Sequence, residues 1–251
     1  MRFAIVGDIH ANFAEADELI RRHAGPVEVI FSVGDAEPNR TEAESLEVGG
    51  PAKHRKVGDF PEFAAGRRTM SAPVHFIGGN HEPWPSLDAH GAGEWAPGFH
   101  FLGRSGVREI AGLRVAFLSG VYSRYFSEPD EPPEITPERL KEYGYFTRPH
   151  LDRLLRRARG TRIDLLLTHD WPAGLSYRHH GRIPVGRDLV RMLTDTLAPQ
   201  VHACGHMHAP FRERVGGTDV ICLSQVVQGA DAVAVLELAP DGTLREVPCA
   251  E

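Results

Sequence analysis

Gly78-Gly79-Asn80-His81-Glu82, preceded by the apolar run Pro73-Val74-His75-Phe76-Ile77, is the stretch on which the predicted fold depends. A short apolar run that ends in an amide and an imidazole is typical of a buried strand that delivers polar side chains to a site. The two glycines let the backbone turn tightly and approach a ligand closely. We therefore expect a strand end at residues 78–82, with a functional site beside it.

Polar motifs follow four other predicted strands. They are Asp8-Ile9-His10 after Arg2–Val6, Gly34-Asp35 after Val27–Val33, Thr168-His169-Asp170 after Ile163–Leu167, and Gly205-His206-Met207-His208 after Gln200–Ala203. Strand ends are where open α/β sheets hold ligands, so distant motifs can converge there. Carboxylate and amide oxygens mixed with imidazole nitrogens, without a thiolate, suit divalent Mn, Fe, Zn or Co. Two cations ~3.5–4 Å apart can bridge a water, lower its pKa and hold phosphate oxygens. The motifs predict a two-metal phosphoesterase site.

The composition is that of an ordinary globular protein, with 41% hydrophobic and 25% charged residues in 251. We expect a single domain over residues 1–251. The net charge of −6 gives no global field that attracts nucleic acid or anionic membranes, although a local basic strip could still serve. No apolar run approaches the ~20 residues that cross a bilayer. The N-terminus lacks a signal peptide pattern, and three cysteines argue against a disulfide framework, so we expect a cytoplasmic protein.

Several sequence patterns between the motifs predict helices, strands and turns. Asn12 and Glu15 predict a capping box for the first helix. Ala111-Gly112, between Val107–Ile110 and Leu113–Leu118, predicts a hairpin. Further helices are predicted at Leu151–Ala158 and Asp188–Leu197, and antiparallel strands in the tail, at Phe211–Val215, Val220–Leu223, Ala232–Leu238 and Leu244–Val247. The basic cluster Lys53–Lys56 is either a solvated surface run or a contact for a substrate phosphate.

The motif set resembles the calcineurin-like metallophosphoesterase superfamily from Asp8 to His208. The resemblance implies an α/β fold, a two-sheet β-sandwich flanked by helices (α/β/β/α). It implies one metal ion held by Asp8, His10, Asp35 and His208. A second ion would share Asp35 and be completed by Asn80, His169 and His206. His81 would stay off the metals, within reach of the substrate phosphate. Asp170, next to His169, is a candidate for orienting a ligand.

A narrower resemblance, over roughly residues 70–175, is to the lariat RNA debranching enzymes. It rests on Phe76–Glu82, Trp95-Ala96-Pro97 with Phe101-Leu102-Gly103, Val115–Gly120 and Thr168–Pro172. Eukaryotic debranching enzymes tend to carry Cys at the position of Asp8, so fuller occupancy of the first metal site is expected here. We also expect no counterpart of their long C-terminal extension. Protein serine/threonine phosphatases share the Gly-Asn-His-Glu motif, but their Asp-Arg-Gly motif is replaced here by Asp35-Ala36-Glu37.

The reaction implied is hydrolysis of a phosphate ester by a metal-bridging hydroxide, with His81 protonating the leaving oxygen. We expect a phosphodiesterase acting on a nucleotide or a nucleic acid such as RNA, with no membrane and no obligate protein partner. A phosphomonoesterase on nucleotides or phosphoproteins is the alternative enzyme, and a scaffold on the same fold is the non-enzyme alternative. Tyr122, Arg124 and Tyr125, in the irregular stretch Gly120–Arg148, could bind substrate by base stacking and phosphate pairing, or could pack the loop.

Overall fold

A computed structural model of the chain describes residues 1–50, 52 and 55–248, and two large sheets form its centre. Lys53 and His54 of the basic cluster, and Cys249, lie outside the described residues. The larger sheet has seven strands in the spatial order β15 (Leu244–Val247), β14 (Val233–Leu238), β1 (Arg2–Val6), β2 (Val29–Ser32), β3 (Val74–Phe76), β5 (Phe99–Phe101) and β4 (Gly93–Ala96). Strands β1, β2, β3 and β5 run parallel, so their carboxyl ends share one edge.

The second sheet has six strands. Their spatial order is β12 (Phe211–Val215), β13 (Thr218–Cys222), β11 (Val201–Cys204), β8 (Leu165–Thr168), β7 (Leu113–Leu118) and β6 (Ser105–Ile110). Strands β7, β8, β11 and β13 are parallel, and β6 joins β7 through the hairpin predicted at Ala111-Gly112. A small antiparallel ribbon pairs β9 (Arg178–His179) with β10 (Ile183–Pro184).

Helices cover the outer face of each sheet. The α-helices of the described residues are α1 (Phe13–Ala24), α2 (Glu42–Leu46), α3 (Phe60–Ala64), α4 (Trp84–His90), α5 (Arg124–Ser127), α6 (Leu140–Tyr143), α7 (Arg148–Ala158) and α8 (Asp188–Leu197). Within the described residues, no helix is both long and apolar enough to cross a membrane.

Side chains alternate along the strands and divide the core into layers. Phe3 and Ile5 of β1 face the second sheet, where they belong to one cluster with Phe117 of β7 and Leu167 of β8. The alternate positions of β1 face outward and belong to a cluster with buried residues of α1, α3 and α4. On the other side, α7 and α8 cover the outer face of the six-stranded sheet. The layered α/β/β/α arrangement predicted for the chain is therefore confirmed.

The predicted capping box of α1 is wrong. The Asn12 side chain donates to the carbonyls of Ile9 and His10 and makes no capping bond to the helix. The carboxylate of Asp59 instead accepts hydrogen bonds from the first two amides of α1, Phe13 and Ala14, each 2.8 Å long. A carboxylate at this position satisfies free amides and interacts favourably with the helix dipole. The helix is therefore capped by Asp59, 46 residues away in the sequence, and not by the adjacent Asn12.

Candidate metal centre

The predicted metal ligands follow the carboxyl ends of parallel strands in both sheets. Asp8, Asp35 and Asn80 come after β1, β2 and β3 of the seven-stranded sheet. His169 follows β8, and both His206 and His208 follow β11, of the six-stranded sheet. The ligand-bearing edges of the two sheets meet, because residues from both sheets lie together in each of two clusters.

The first cluster contains Asp8, His10 and His208, whose ligand atoms lie within 4.8 Å of one another. Nε2 of His208 is 2.9 Å from Oδ2 of Asp8 and 3.2 Å from Nε2 of His10. The Asp8 carboxylate is buried and accepts the main-chain amide of His206 at 3.1 Å on each oxygen. This bond holds the carboxylate in one orientation and ties the motif after β1 to the motif after β11.

The second cluster contains Asp35, His169 and His206, again with ligand atoms within 4.8 Å of one another. Nε2 of His169 lies 3.3 Å from Oδ2 of Asp35. Nδ1 of His169 is 2.9 Å from the carbonyl of Val33, which can only accept, so Nδ1 carries a proton and Nε2 faces the carboxylate. This orientation leaves Nε2 available as a ligand when the ring is neutral.

Asn80 directly follows Gly79, whose backbone passes very close to the second cluster. A Cβ at Gly79 would lie 2.2 Å from Oδ1 of Asp35 and 2.7 Å from Nε2 of His169, so only glycine fits there. The amide oxygen of Asn80 is buried and, among the described residues, has no hydrogen-bond partner. An unpaired buried oxygen one residue from this close approach is a suitable further donor for a cation.

The backbone is strained at four of the proposed ligands. His10, Asp35, His206 and His208 all have positive φ angles, of 48°, 48°, 69° and 49°. Residues other than glycine rarely adopt this left-handed conformation, and when they do they cluster at functional sites. These four are among the seven residues that the motif analysis proposed as ligands, and each lies just after the end of a strand.

Two buried glutamates support the site, and the sequence analysis assigned neither of them a role. Oε1 of Glu37 lies 2.7 Å from Nδ1 of His10, so it orients that ring. Glu82 accepts the amides of Ala36, Glu37 and Gly79 at 3.0, 3.0 and 3.2 Å, and thereby joins the loops after β2 and β3. Burial, followed by the nearby Asp35 carboxylate, raises the pKa of Glu82 to about 8. One indication of their role was present in the sequence, because each glutamate lies within two residues of a proposed ligand.

The carboxylates of the site create a field that attracts positive charge. Burial lowers the pKa of His10, but the Glu37 hydrogen bond and the Asp35, Glu37 and Asp8 carboxylates outweigh it and raise the value to about 9. Burial is likewise outweighed at His169, where Asp35 and Asp8 raise the pKa to about 10. A divalent cation carries more charge than a proton, so the same carboxylates would attract it more strongly. It would use the ring nitrogens as ligands. Together with the unpaired Asn80 oxygen, this donor set fits two divalent metal ions.

His81 lies beside the first cluster, with its ring centroid 5.7 Å from that of His10. It belongs to neither cluster of ligand atoms. Its main-chain amide donates to Oδ1 of Asp35 at 2.8 Å, which fixes the position of the residue. Burial lowers the pKa of the half-buried imidazole.

Asp170 connects the second cluster to the loop Gly120–Arg148. Its Oδ1 lies 3.8 Å from Nε2 of His206, and its Oδ2 accepts the main-chain amide of Tyr122 at 2.6 Å. Arg187 contributes from the other side, with Nε 3.8 Å from Oδ2 of Asp170 and its guanidinium carbon 5.5 Å from the centre of the Tyr122 ring. The sequence analysis did not select Arg187, because its role depends on a contact that local pattern does not reveal.

The three proposed substrate-binding residues lie at the start of the same loop. The Tyr122 hydroxyl donates to Glu128, and its ring packs 6.4 Å from that of Phe146. Arg124 forms an exposed 3.8 Å ion pair with Glu128. Tyr125 is 75% exposed, an unusual position for a large aromatic side chain. Of these three residues, only Tyr122 contacts Asp170, the residue that lies next to His206 of the second cluster.

Two clusters of carboxylate and imidazole ligands at the strand ends of a two-sheet sandwich are the arrangement of a metallophosphoesterase. The family model for calcineurin-like phosphoesterases matches residues 1–210, and the chain belongs to that family. Among curated proteins, the chain is similar to the lariat debranching enzyme of Entamoeba histolytica, at 26% identity over 94% of this chain and 71% of the relative. It is also similar to the lariat debranching enzymes of Schizosaccharomyces pombe and Danio rerio, at 30% identity each, over 74% and 84% of this chain.

The chain is shorter than most of these relatives, since it spans 43% of the Schizosaccharomyces pombe protein and 41% of the Danio rerio protein. Solved structures share the fold at low sequence identity. A dimetal phosphatase from Danio rerio superposes with a TM-score of 0.56 at 15% identity, covering 100% of this chain and 96% of that one. A Thermus thermophilus protein gives a TM-score of 0.55 at 14% identity, with 98% of each chain covered.

Proposed function

We propose that this protein is a two-metal phosphodiesterase that acts on nucleic acid, with a preference for a branched substrate of the debranching type. The observation that carries the proposal is the loop Gly120–Arg148, whose start and end are paired through Val121 and Gly144 and both approach the second cluster. At its start, Tyr122 binds Asp170 beside His206. Near its end, Gly144 packs on the backbone of Asn80, where a Cβ would be only 3.2 Å from the Asn80 Cα. A loop so placed can contact the parts of a diester that extend beyond the cleaved bond.

The metal ions would be held as the family pattern implies. Asp8, His10, Asp35 and His208 would hold one ion, and Asp35, Asn80, His169 and His206 the other. When bound, the two ions supply an activated water nucleophile and positive charge for the phosphate oxygens. The identity of the metals, among Mn, Fe and Zn, stays a proposal. We also propose that residues 1–251 form a single domain and that the protein is cytoplasmic.

His81 acts on the leaving oxygen in this proposal. Its anchored backbone and its position outside the ligand clusters suit a residue that holds a proton for the departing group. Asp170 orients His206 and anchors the loop at the same time. Tyr122, with Arg187 over its ring, would contact the base or sugar beside the cleaved bond, while Arg124 and Tyr125 would contact more distant parts of the strand.

The test is a comparison of four substrates with Mn²⁺-loaded protein: nitrophenyl phosphate, bis-nitrophenyl phosphate, a 2′,3′-cyclic nucleotide and a 2′,5′-branched oligonucleotide. We expect both nitrophenyl esters to be poor substrates and the branched oligonucleotide to have the highest kcat/KM. Preferential hydrolysis of the monoester would favour the phosphomonoesterase alternative. Absence of hydrolysis with both ions bound would favour the scaffold alternative.

A further inference from the structure

A cavity of about 510 Å³ lies between β6, α4 and α7, lined by none of the residues of the two ligand clusters. Four arginines line it, together with one acidic residue, Asp88; we call these four the arginine track: Arg104, Arg108, Arg153 and Arg157. This local excess of positive charge contrasts with the net charge of −6 for the whole chain. Such a concentrated patch creates a favourable local potential for a polyanion even on an acidic protein.

The arginines differ in how they are held. Arg104 is fixed: it forms a bidentate pair with Asp88 at 2.7 and 2.5 Å and donates to the carbonyl of Tyr143 at 2.7 Å. Arg108, Arg153 and Arg157 are exposed, and within the described residues none of them has an acidic partner. Their charges are therefore available to an external anion. Burial, and then the charges of Arg104 and Arg153, lowers the pKa of the adjacent His150 to about 3.

One end of the arginine track lies at the edge of the sheet that carries the metal ligands. Ser105, next to Arg104, is paired with Leu118, and Leu118 is paired with Thr168, the residue before His169. Two strand spacings of ~4.8 Å place Ser105 about 10 Å from Thr168 along this row. Arg104 also stacks 3.5 Å from the centre of the Trp84 ring, whose Nε1 donates to the carbonyl of Gly79.

The other end of the track leads away from that edge. Arg108 is paired with Val115, which is next to Leu165 at the start of β8, three residues before Thr168. Three residues of strand correspond to about 10 Å. Arg153 and Arg157, one turn apart on α7, follow the same direction because α7 connects the parallel strands β7 and β8 and therefore runs back from the metal edge. The arginine track is therefore a basic path that starts at the metal edge and descends the side of the molecule.

We propose that the arginine track binds the backbone phosphates of a nucleic acid strand that extends from the cleaved phosphodiester. The inference rests on the proposed function and deepens it, because it states where a strand flanking the reaction centre is held. Arginine forks match phosphate oxygens in bidentate geometry, and a path of several cations suits a polyanion better than a single anion. Ser105, which lines the cavity, adds a buried hydroxyl without a hydrogen-bond partner among the described residues.

The dimensions fit a short single strand. The two segments of about 10 Å are perpendicular, one across the strands and one along them, so the track spans roughly 14 Å end to end, enough for about four nucleotides at ~3.4 Å each. The affinity of an oligonucleotide should therefore increase with length up to this number of nucleotides and then level off. A site confined to the metal clusters would show no such dependence.

The test measures binding of single-stranded RNA of about 12 nucleotides to the Mn²⁺-loaded full chain by fluorescence anisotropy, with a gel to check that the RNA stays intact. The variant is Arg153→Gln/Arg157→Gln. The matched control is Arg156→Gln/Arg159→Gln, which removes the same charge at the end of the same helix but outside this cavity. Thermal unfolding checks that both variants fold.

We expect Arg153→Gln/Arg157→Gln to weaken binding on the order of tenfold and to reduce the slope of log affinity against log salt by about 1.4, two contacts at ~0.7 each for a single strand. The control should bind as the parent does, and adding Arg108→Gln should reduce the slope further. Equal behaviour of variant and control would overturn the inference, even if branched RNA is cleaved. Arginine-dependent binding without any hydrolysis of diesters would support the track and contradict the proposed function.

Discussion

The main-chain amide of His81 donates a 2.8 Å hydrogen bond to Oδ1 of Asp35. This single bond joins the residue proposed to protonate the leaving group to the carboxylate proposed to serve both metal ions. It uses only the backbone of His81, so the imidazole can be removed while Asp35 keeps its orientation. The two roles can therefore be tested separately by substitution.

Asp35→Ala should lower metal content more than any other single change among the ligands. The reason is that its carboxylate is proposed to bind both ions, whereas the other ligands serve one each. Elemental analysis of Mn²⁺-loaded protein should give about two ions for the parent and fewer than one for the variant. Asp195→Ala, an exposed acidic residue of α8, is the control. One ion or none in the parent protein would contradict the two-metal proposal.

His208→Ala and His206→Ala should affect different ions. His208 lies with Asp8 and His10, whereas His206 lies with Asp35 and His169. We expect the first substitution to weaken one phase of a calorimetric Mn²⁺ titration and the second to weaken the other. Loss of the same phase in both variants would mean that the six residues form a single site.

His81→Ala should keep both metal ions and lose about 10²–10⁴ in kcat on a diester with a poor leaving group, the usual contribution of a positioned acid. The loss should be smaller for nitrophenyl esters, because nitrophenolate leaves without protonation. Metal content is measured alongside the rates. A parallel fall in bound metal would reassign His81 as a ligand.

Tyr122→Ala/Tyr125→Ala should reduce kcat/KM for the branched oligonucleotide much more than for bis-nitrophenyl phosphate. Stacking contributes ~1–3 kcal/mol per base, and the small ester has no base. The amide of Tyr122 that binds Asp170 is retained in the variant, so the loop keeps this anchor. If all four test substrates lost activity equally, or none did, the aromatic rings would have only a packing role.

His202 should make the fold sensitive to acid. It is buried between the hydroxyls of Thr168 and Thr194, and burial lowers its pKa to about 3. Between about pH 6.5 and pH 3 the unfolded chain binds more protons at this residue than the folded chain does, so stability falls as the pH falls. Between pH 7 and pH 5 the parent should lose about 2 kcal/mol more than His202→Gln. Urea unfolding at both pH values measures the difference, and identical losses would contradict it.

The positions of the metal ligands could be predicted because each ligand follows an apolar strand directly in the sequence. The supporting contacts could not, because they join distant residues. Asp59 caps α1 from 46 residues away, and Asp170 holds the amide of Tyr122 from 48 residues away. Glu82 lies in a motif that was recognised, but its bonds to the loop after β2 depend on strand order. Strand order follows from packing of the whole chain, which local periodicity does not determine.

Each ligand cluster takes residues from both sheets, and His10 is 198 positions from His208 in the chain. Bound ions would thus act as cross-links that close very long loops, the part that disulfides play in many secreted domains. The buried thiols of Cys204 and Cys222 are free, so no disulfide within the described residues cross-links the chain in this way. Removing the ions with a chelator should lower the melting temperature by separating the two sheets at their shared edge, and restoring Mn²⁺ should reverse the change.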